Sequence, residues 1–132
     1  MRRAAILLTA LGLATLASPA LADPASDAKP KPRCFLSTQF ENWRSPDPKT
    51  IYIRVSFKRY YRLDLSGACH ALQSPGAFLV TKIRGSNYIC SPLDWDLHVA
   101  RSWDFAPEGC IVRSMTELTP DDVAAIPKGF KP

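Results

Sequence analysis

The chain has 132 residues, of which 46% are hydrophobic, and 17 lysines and arginines against 12 acidic residues give it a net charge of +5. This length corresponds to a single domain. The basic residues are scattered along the sequence, whereas nucleic-acid-binding proteins concentrate them in a patch or stripe. We therefore predict no nucleic-acid partner.

The N-terminal segment has the three parts of a bacterial signal peptide. Arg2 and Arg3 give it a positive start, an apolar run covers residues 4–17, and Ala-Leu-Ala at residues 20–22 supplies the small side chains that signal peptidase reads. We predict a signal peptide over residues 1–22 and a periplasmic protein. The apolar run is shorter than the roughly 20 residues that a bilayer-spanning helix needs, so we predict no membrane span.

The remainder of the chain divides into a leader, a domain and a tail. Residues 23–33 are polar and contain three prolines, which predicts a disordered leader. A single β-rich domain is expected over residues 34–127, with a tail over residues 128–132. Removal of the signal peptide leaves about 110 residues with a net charge of about +3, enough chain for a modest hydrophobic core.

Four cysteines, at Cys34, Cys69, Cys90 and Cys110, lie in the predicted domain. An even number in a small exported domain predicts two disulfides, and the absence of a C-x-x-C pair disfavours a zinc site. If the terminal strands meet, the favoured pairing is Cys34–Cys110 with Cys69–Cys90. The sequential pairing, Cys34–Cys69 with Cys90–Cys110, stays open.

Alternating hydrophobic and polar residues between turn signals predict about six strands. They cover residues 34–40, 50–56, 60–65, 78–83, 93–99 and 110–115, with turns at 45–48 and 74–76 and a hairpin turn at 85–87 leading into 88–90. The short spacing between residues 50–56 and 60–65 predicts an antiparallel hairpin. The expected fold is mainly β, a small antiparallel β-barrel or sandwich with two disulfides.

The hairpin and the strand over residues 93–99 have the clearest period of two. The side chains predicted to face the core are Ile51, Ile53, Val55, Tyr61, Leu63, Leu65, Leu93, Trp95, Leu97 and Val99. Asp94, Asp96 and His98 are then expected to face outward.

One short C-terminal helix is predicted from its capping residues. Thr119 suits the N-cap, Pro120 the first helical position, and Asp122 the acidic position of a capping box. Pro127 is expected to end the helix after about two turns.

Several segments together resemble a family of small exported four-cysteine proteins of Gram-negative bacteria, a domain of unknown function. The segments are residues 33–35, 40–44, 50–55, 61–69, 84–86, 89–91, 110–112 and 118–120. The resemblance spans essentially the whole domain and implies an envelope location and a four-cysteine frame. It implies no activity and no catalytic residue.

The outward face of the predicted hairpin is the first candidate site. Its side chains are Tyr52, Arg54, Tyr60, Arg62 and Asp64, and we add Trp103 from a loop expected to be exposed. Aromatic rings and arginines suit recognition of a partner. Cross-strand Arg–Asp and Tyr–Arg pairs are also ordinary sheet surface, and that interpretation is favoured.

Asp94, Asp96 and His98 form the second candidate. Neighbours on one face of a strand lie roughly 7 Å apart, which is too far for a shared metal ion, so a solvated polar face is favoured. His70 is the other histidine of the chain, and nothing in the sequence brings it to His98. We predict no metal, no cofactor and no catalytic residue.

The resulting functional prediction is a non-catalytic periplasmic binding module whose partner is an envelope protein or a small ligand. The alternative is a small periplasmic hydrolase that uses His98 with Asp94 or Asp96. The oligomeric state stays open at this point.

Overall fold

A computed structural model describes residues 34–103 and 106–132 of the chain. The predicted signal peptide, residues 1–22, and the predicted leader, residues 23–33, lie outside the described residues. The side chain of Trp95, which we expected in the core, lies outside the description as well.

The described residues form nine strands and one α-helix. The strands are β1 Phe35–Leu36, β2 Phe40–Asp47, β3 Thr50–Val55, β4 Arg59–Leu65, β5 Phe78–Ile83, β6 Tyr88–Ile89, β7 Trp95–Ala100, β8 Glu108–Gly109 and β9 Val112–Glu117, and the helix is α1 Pro120–Ala124. Short 3-10 helices cover Ser37–Gln39, His70–Gln73 and Pro92–Asp94. Six strands have six or more residues, close to the predicted number, and three have only two.

The strands form three antiparallel sheets. The largest has the order β2-β3-β4-β9, the second β5-β7-β8, and the third β1-β6. Side chains from all three pack into one hydrophobic cluster. The predicted mainly β fold is confirmed, and the sheets form a sandwich-like arrangement rather than a closed barrel.

The β3–β4 hairpin supplies the centre of the core. Ile51 pairs with Leu63 and Ile53 with Tyr61 across the two strands, and all four side chains are completely buried. Alternation of apolar and polar residues puts every second side chain on the inner face, and burial of such a face stabilises a sheet by about 1.5–3 kcal/mol per large side chain. The predicted hairpin and its inner face are confirmed.

Two predicted turns are placed differently. β2 continues through Pro46 to Asp47, with an irregular register between Arg44 and Asp47, so the chain reverses at residues 48–49 instead of 45–48. The hairpin expected at residues 85–87 does not form, because β6 pairs with β1, Phe35 facing Ile89, while β5 pairs with β7.

The disulfides join Cys34 to Cys90 and Cys69 to Cys110. Both pairings considered from the sequence are therefore wrong. Cys34 directly precedes β1 and Cys90 directly follows β6, so the antiparallel β1–β6 pair brings them together. Cys110 precedes β9, which pairs with β4 rather than with the first strand, and this brings Cys110 to the chain that leaves β4.

Helix α1 begins as predicted. The backbone N–H of Asp122 donates to the Thr119 hydroxyl at 3.2 Å, and the Thr119 N–H donates to the Asp122 carboxylate at 3.0 Å. After the helix, Ile126 is buried, and with Ala125 it lines a small pocket together with Tyr52 of the hairpin's outer face. Within the described ranges, no helix combines the length and the apolar character that a membrane crossing requires.

Each disulfide should stabilise the domain by several kilocalories per mole. The bridges close loops with sequence separations of 56 and 41 residues, which corresponds to about 4 kcal/mol each by loop entropy. We expect the paired variant Cys69→Ser with Cys110→Ser, or Cys34→Ser with Cys90→Ser, to lose about 2–5 kcal/mol in the free energy of unfolding, measured by denaturant titration.

The pairing itself is checked by peptide mapping of the oxidised protein without reduction. Linked peptides should contain Cys34 with Cys90 and Cys69 with Cys110. Recovery of a peptide that links Cys34 to Cys110 would contradict the described fold.

Candidate functional site

A surface groove of about 420 Å³ lies beside β7, between the 3-10 helix Pro92–Asp94 and the segment that leads from β8 into β9. We call it the 93/111 groove, after Leu93 and Ile111, which line it together with Arg84 and Asp96. Leu93 is 83% exposed and Ile111 74% exposed. The groove therefore combines two exposed apolar side chains with two charged ones.

Leu93 was expected in the core, and this prediction is wrong. The residues from Ser91 to Asp94 form a capped 3-10 turn instead of the start of a strand: the Leu93 N–H donates to the Ser91 hydroxyl at 3.3 Å, and the Ser91 N–H donates to the Asp94 carboxylate at 2.7 Å. The strand begins only at Trp95. The turn rotates the Leu93 side chain outward, to the edge of the groove.

Asp94 is held by the backbone and does not point into solvent as a strand residue would. Its carboxylate accepts hydrogen bonds from the N–H groups of Cys90 and Ser91, both at 2.7 Å. The hydrogen bond from the Cys90 N–H is the main reason that the pKa of Asp94 lies below its ordinary value. Burial raises this pKa, but by less, and the hydrogen bonds from Ser91 lower it further. Asp94 is thus a structural group that fixes the turn carrying Leu93.

Asp96 is the acidic group of the groove. Its carboxylate lies 3.1 Å from the Arg84 guanidinium, which is the main reason that the pKa of Asp96 is lowered. The side chains are 68% exposed for Arg84 and 35% for Asp96. Such an exposed pair contributes little to stability, so both charges can be re-paired by a ligand at small cost.

His98 lies next to Asp96 on the same face of β7. Its Nε2 is 3.3 Å from the second carboxylate oxygen of Asp96, an ion-pair distance, but Nε2 is shielded from solvent and the geometry does not meet that of a hydrogen bond. Among the described residues, no serine, threonine or cysteine is hydrogen-bonded to His98. The pair is therefore an acid and a base without an aligned nucleophile in the described part of the chain.

The backbone around Ile111 holds the opposite edge of the groove. The Ile111 carbonyl accepts hydrogen bonds from the Ser66 N–H at 2.9 Å and from the Ser66 hydroxyl at 3.3 Å. Its neighbour Cys110 is fixed by the disulfide to Cys69. The exposed Ile111 side chain is consequently presented from an immobilised backbone.

Most side chains of the predicted hairpin face are engaged within the protein. Tyr52 is 9% exposed, Arg54 pairs with Glu41 at 2.9 Å, and Arg62 pairs with Asp64 at 2.8 Å. The outer face of the hairpin is partly covered by the residues that follow α1.

Tyr60 and Trp103 complete the predicted set. The Lys131 ammonium lies 5.5 Å from the centre of the Tyr60 ring. Trp103 is 61% exposed, which confirms its predicted exposure, and the Arg101 guanidinium lies 5.9 Å from its ring. A binding role for these six residues remains a prediction.

One group of potential metal ligands is present in the described residues. Single ligand atoms of Cys69, Glu108 and Cys110 lie within 4.8 Å of one another. Both sulfurs belong to the disulfide, and Glu108 accepts a hydrogen bond from the Ala71 N–H at 2.9 Å. The oxidised cluster therefore offers no thiolate to a metal, and Glu108 has a structural partner.

Comparison with known proteins places the chain in a family. The sequence model of DUF6491, described as a family of unknown function, matches residues 1–128. The chain belongs to this family. No curated protein and no solved structure matches the chain. The match confirms the resemblance to a family of unknown function and assigns no chemistry to any residue.

Removal of the Asp94 carboxylate should destabilise the domain. We expect Asp94→Ala to lower the free energy of unfolding at neutral pH by about 1 kcal/mol, the usual loss for a capping side chain. Because the folded-state pKa is below the ordinary aspartate value of about 3.9, this contribution is complete above that value and is lost as the pH falls through the folded-state pKa. Thermal unfolding of both proteins between about pH 7 and pH 2 measures the difference.

Asp121→Ala is the matched control, because the Asp121 side chain has no described hydrogen bond. It should change the melting temperature much less than Asp94→Ala. A constant difference between wild type and Asp94→Ala across the acid range would contradict the assigned role of the carboxylate.

Proposed function

We propose that this protein is a non-catalytic binding module of the periplasm, exported by a cleaved signal peptide over residues 1–22. The basic, apolar and small-residue parts of that segment support the export step. The two disulfides support location in an oxidising compartment, because cysteines are kept as reduced thiols in most cytoplasms. The proposed partner is an envelope protein or a small ligand.

The 93/111 groove carries the proposal. Large apolar side chains that are mostly exposed and rim a concave surface are typical of interaction sites. The capped turn directs Leu93 outward, and the Ser66 hydrogen bond fixes the backbone that carries Ile111. The exposure of both side chains therefore follows from the conformation of the backbone. A partner would contact them with an apolar group and reach Arg84 or Asp96 with a polar or charged one.

The predicted hairpin face gives weaker support to a binding role. Tyr52 is buried, and Arg54 and Arg62 already have acidic partners. A ligand that used the charges of the hairpin face would have to break existing ion pairs, as would one that used Arg84 and Asp96. The groove additionally offers the exposed apolar side chains of Leu93 and Ile111. Trp103 is the exposed aromatic member of that set, and it is a second candidate contact for the same binding function.

A photo-crosslinking experiment tests the groove in living cells. A photoreactive amino acid is placed at position 93, at position 111, or at the exposed residue Lys128 as a control. We expect an adduct of defined mass from positions 93 and 111 and none from position 128. The adduct from position 111 should be reduced at least tenfold when Leu93→Ser is introduced as well, because the apolar contact is lost.

The decisive contrast is between the groove and the rest of the surface. Equal labelling from all three positions, or adducts that persist unchanged in the Leu93→Ser protein, would contradict a binding site in the 93/111 groove. The melting temperature of Leu93→Ser should stay within a few degrees of wild type, because the side chain is exposed.

The alternative function is a small periplasmic hydrolase. The observation in its favour is the proximity of Asp96 to His98, since a carboxylate can orient an imidazole that acts as a base. Asp94 cannot share this task without giving up two backbone hydrogen bonds. In this function a water molecule, activated by His98, would be the nucleophile.

His98→Ala separates the two functions. For a binding module, we expect the variant to keep the crosslinks and to show the same background as wild type with ester, phosphoester and glycoside substrates. A hydrolysis rate that falls by a factor of 100 or more in His98→Ala, with an unchanged melting temperature, would favour the hydrolase. His70→Ala, at the exposed second histidine of the chain, serves as the control for loss of an imidazole elsewhere.

A further inference from the structure

The turn between β3 and β4 holds its backbone in an unusual conformation. Ser56 and Phe57 both have positive φ, at 46° and 52°. Turns of this kind normally contain Asn, Asp or Gly, because a bulky side chain is disfavoured in the left-handed region. A phenylalanine is among the least suitable residues for this position.

Packing does not explain the phenylalanine, because its side chain is 86% exposed. It is the most exposed of the large hydrophobic residues in the described part of the chain. Neither backbone preference nor burial accounts for Phe57, and backbone strain of this kind is typical of functional positions.

Hydrogen bonds keep the turn rigid. The Phe57 N–H donates to one carboxylate oxygen of Glu41 at 3.0 Å, while Arg54 binds the other oxygen at 2.9 Å. The Ser56 N–H donates to the Gln39 carbonyl at 3.0 Å. The ring is thus presented on an ordered support, which lowers the entropy lost on binding.

The charge next to the ring is positive. Lys58 is exposed and has no acidic partner among the described residues, whereas the nearby acids are matched, Glu41 by Arg54 and Glu117 by Arg59. The turn therefore places an unmatched cation directly after an exposed aromatic ring.

A second exposed aromatic lies at the same end of the domain. Tyr88 is 56% exposed and faces Leu36 across the β1–β6 pair. The Leu36 N–H donates to the side chain of Gln39, the residue whose carbonyl binds Ser56. A short chain of hydrogen bonds thus connects the strand of Tyr88 to the turn of Phe57.

We propose that this turn docks the protein on an anionic phospholipid surface. Phe57 inserts at the boundary between headgroups and acyl chains, Lys58 contacts phosphate groups, and Tyr88 adds an interfacial aromatic contact. Aromatic side chains and lysines favour this region of a bilayer. A single projecting ring beside a cation suits a flat anionic surface, into which it can insert without a preformed cavity. The contact is peripheral and independent of the 93/111 groove.

Vesicle sedimentation tests the proposal with the oxidised protein lacking residues 1–22. Wild type should sediment with vesicles that contain phosphatidylglycerol and much less with pure phosphatidylcholine, and the binding should weaken as salt is added. Phe57→Gly should weaken binding at least tenfold. Because glycine readily adopts positive φ, the same variant should melt at the wild-type temperature or above it, which separates lost contact from lost folding.

Three further variants locate the contact. Lys58→Gln should reduce binding several-fold and also reduce its salt dependence, whereas Phe78→Ser, at another exposed aromatic, should bind like wild type. Leu93→Ser should bind vesicles normally, so that failure of the groove and failure of the lipid contact are distinguishable.

The proposal is overturned if wild type does not bind phosphatidylglycerol vesicles at low salt, or if Phe57→Gly binds as well as wild type. A photoreactive residue at position 57 that crosslinks to one envelope protein and not to lipid would also overturn it and assign the turn to a protein partner.

Discussion

Water is excluded from one face of the β3–β4 hairpin, and the rest of the domain is arranged around that face. Ile51, Ile53, Tyr61 and Leu63 have no exposed surface. Because β9 joins this sheet next to β4, the chain entering β9 must pass close to the chain leaving β4. This arrangement brings Cys69 and Cys110 together. Ile111 lies between that disulfide and the start of β9, and its side chain remains exposed. The edge of the 93/111 groove is therefore a consequence of how the largest sheet is completed.

Local signals in the sequence predict local structure well here, except where two of them compete. The period of two identifies the hairpin and its inner face, and Thr119-Pro120 followed by Asp122 identifies the start of α1. The same signature occurs at Ser91-Pro92 followed by Asp94, where it forms the capped turn that turns Leu93 outward. There the alternation from residue 93 to residue 99 was the stronger pattern in the sequence and led to the wrong prediction for Leu93. The capping signature, and not the alternation, predicts the outward position of Leu93 at this edge of the groove.

Features that depend on pairing between distant strands could not be predicted in the same way. The union of β1 with β6, and hence the Cys34–Cys90 bridge, follows from which sheets form and not from residues near either cysteine. The meeting of Arg84 with Asp96 likewise depends on the alignment of β5 with β7. The exposure of Phe57 could not be predicted for another reason. The sequence indicates a three-residue connection, but it contains neither the glycine nor the asparagine by which a left-handed turn is usually recognised.

The irregular end of β2 has a consequence for how copies of the domain behave next to one another. β2 is an outer strand of the four-stranded sheet, and outer strands are templates on which a second chain can add a strand. Pro46 has no N–H to offer such a chain, and the shifted register between Arg44 and Asp47 bends the strand out of line. This edge of the sheet is thereby a poor seed for intermolecular β-aggregation.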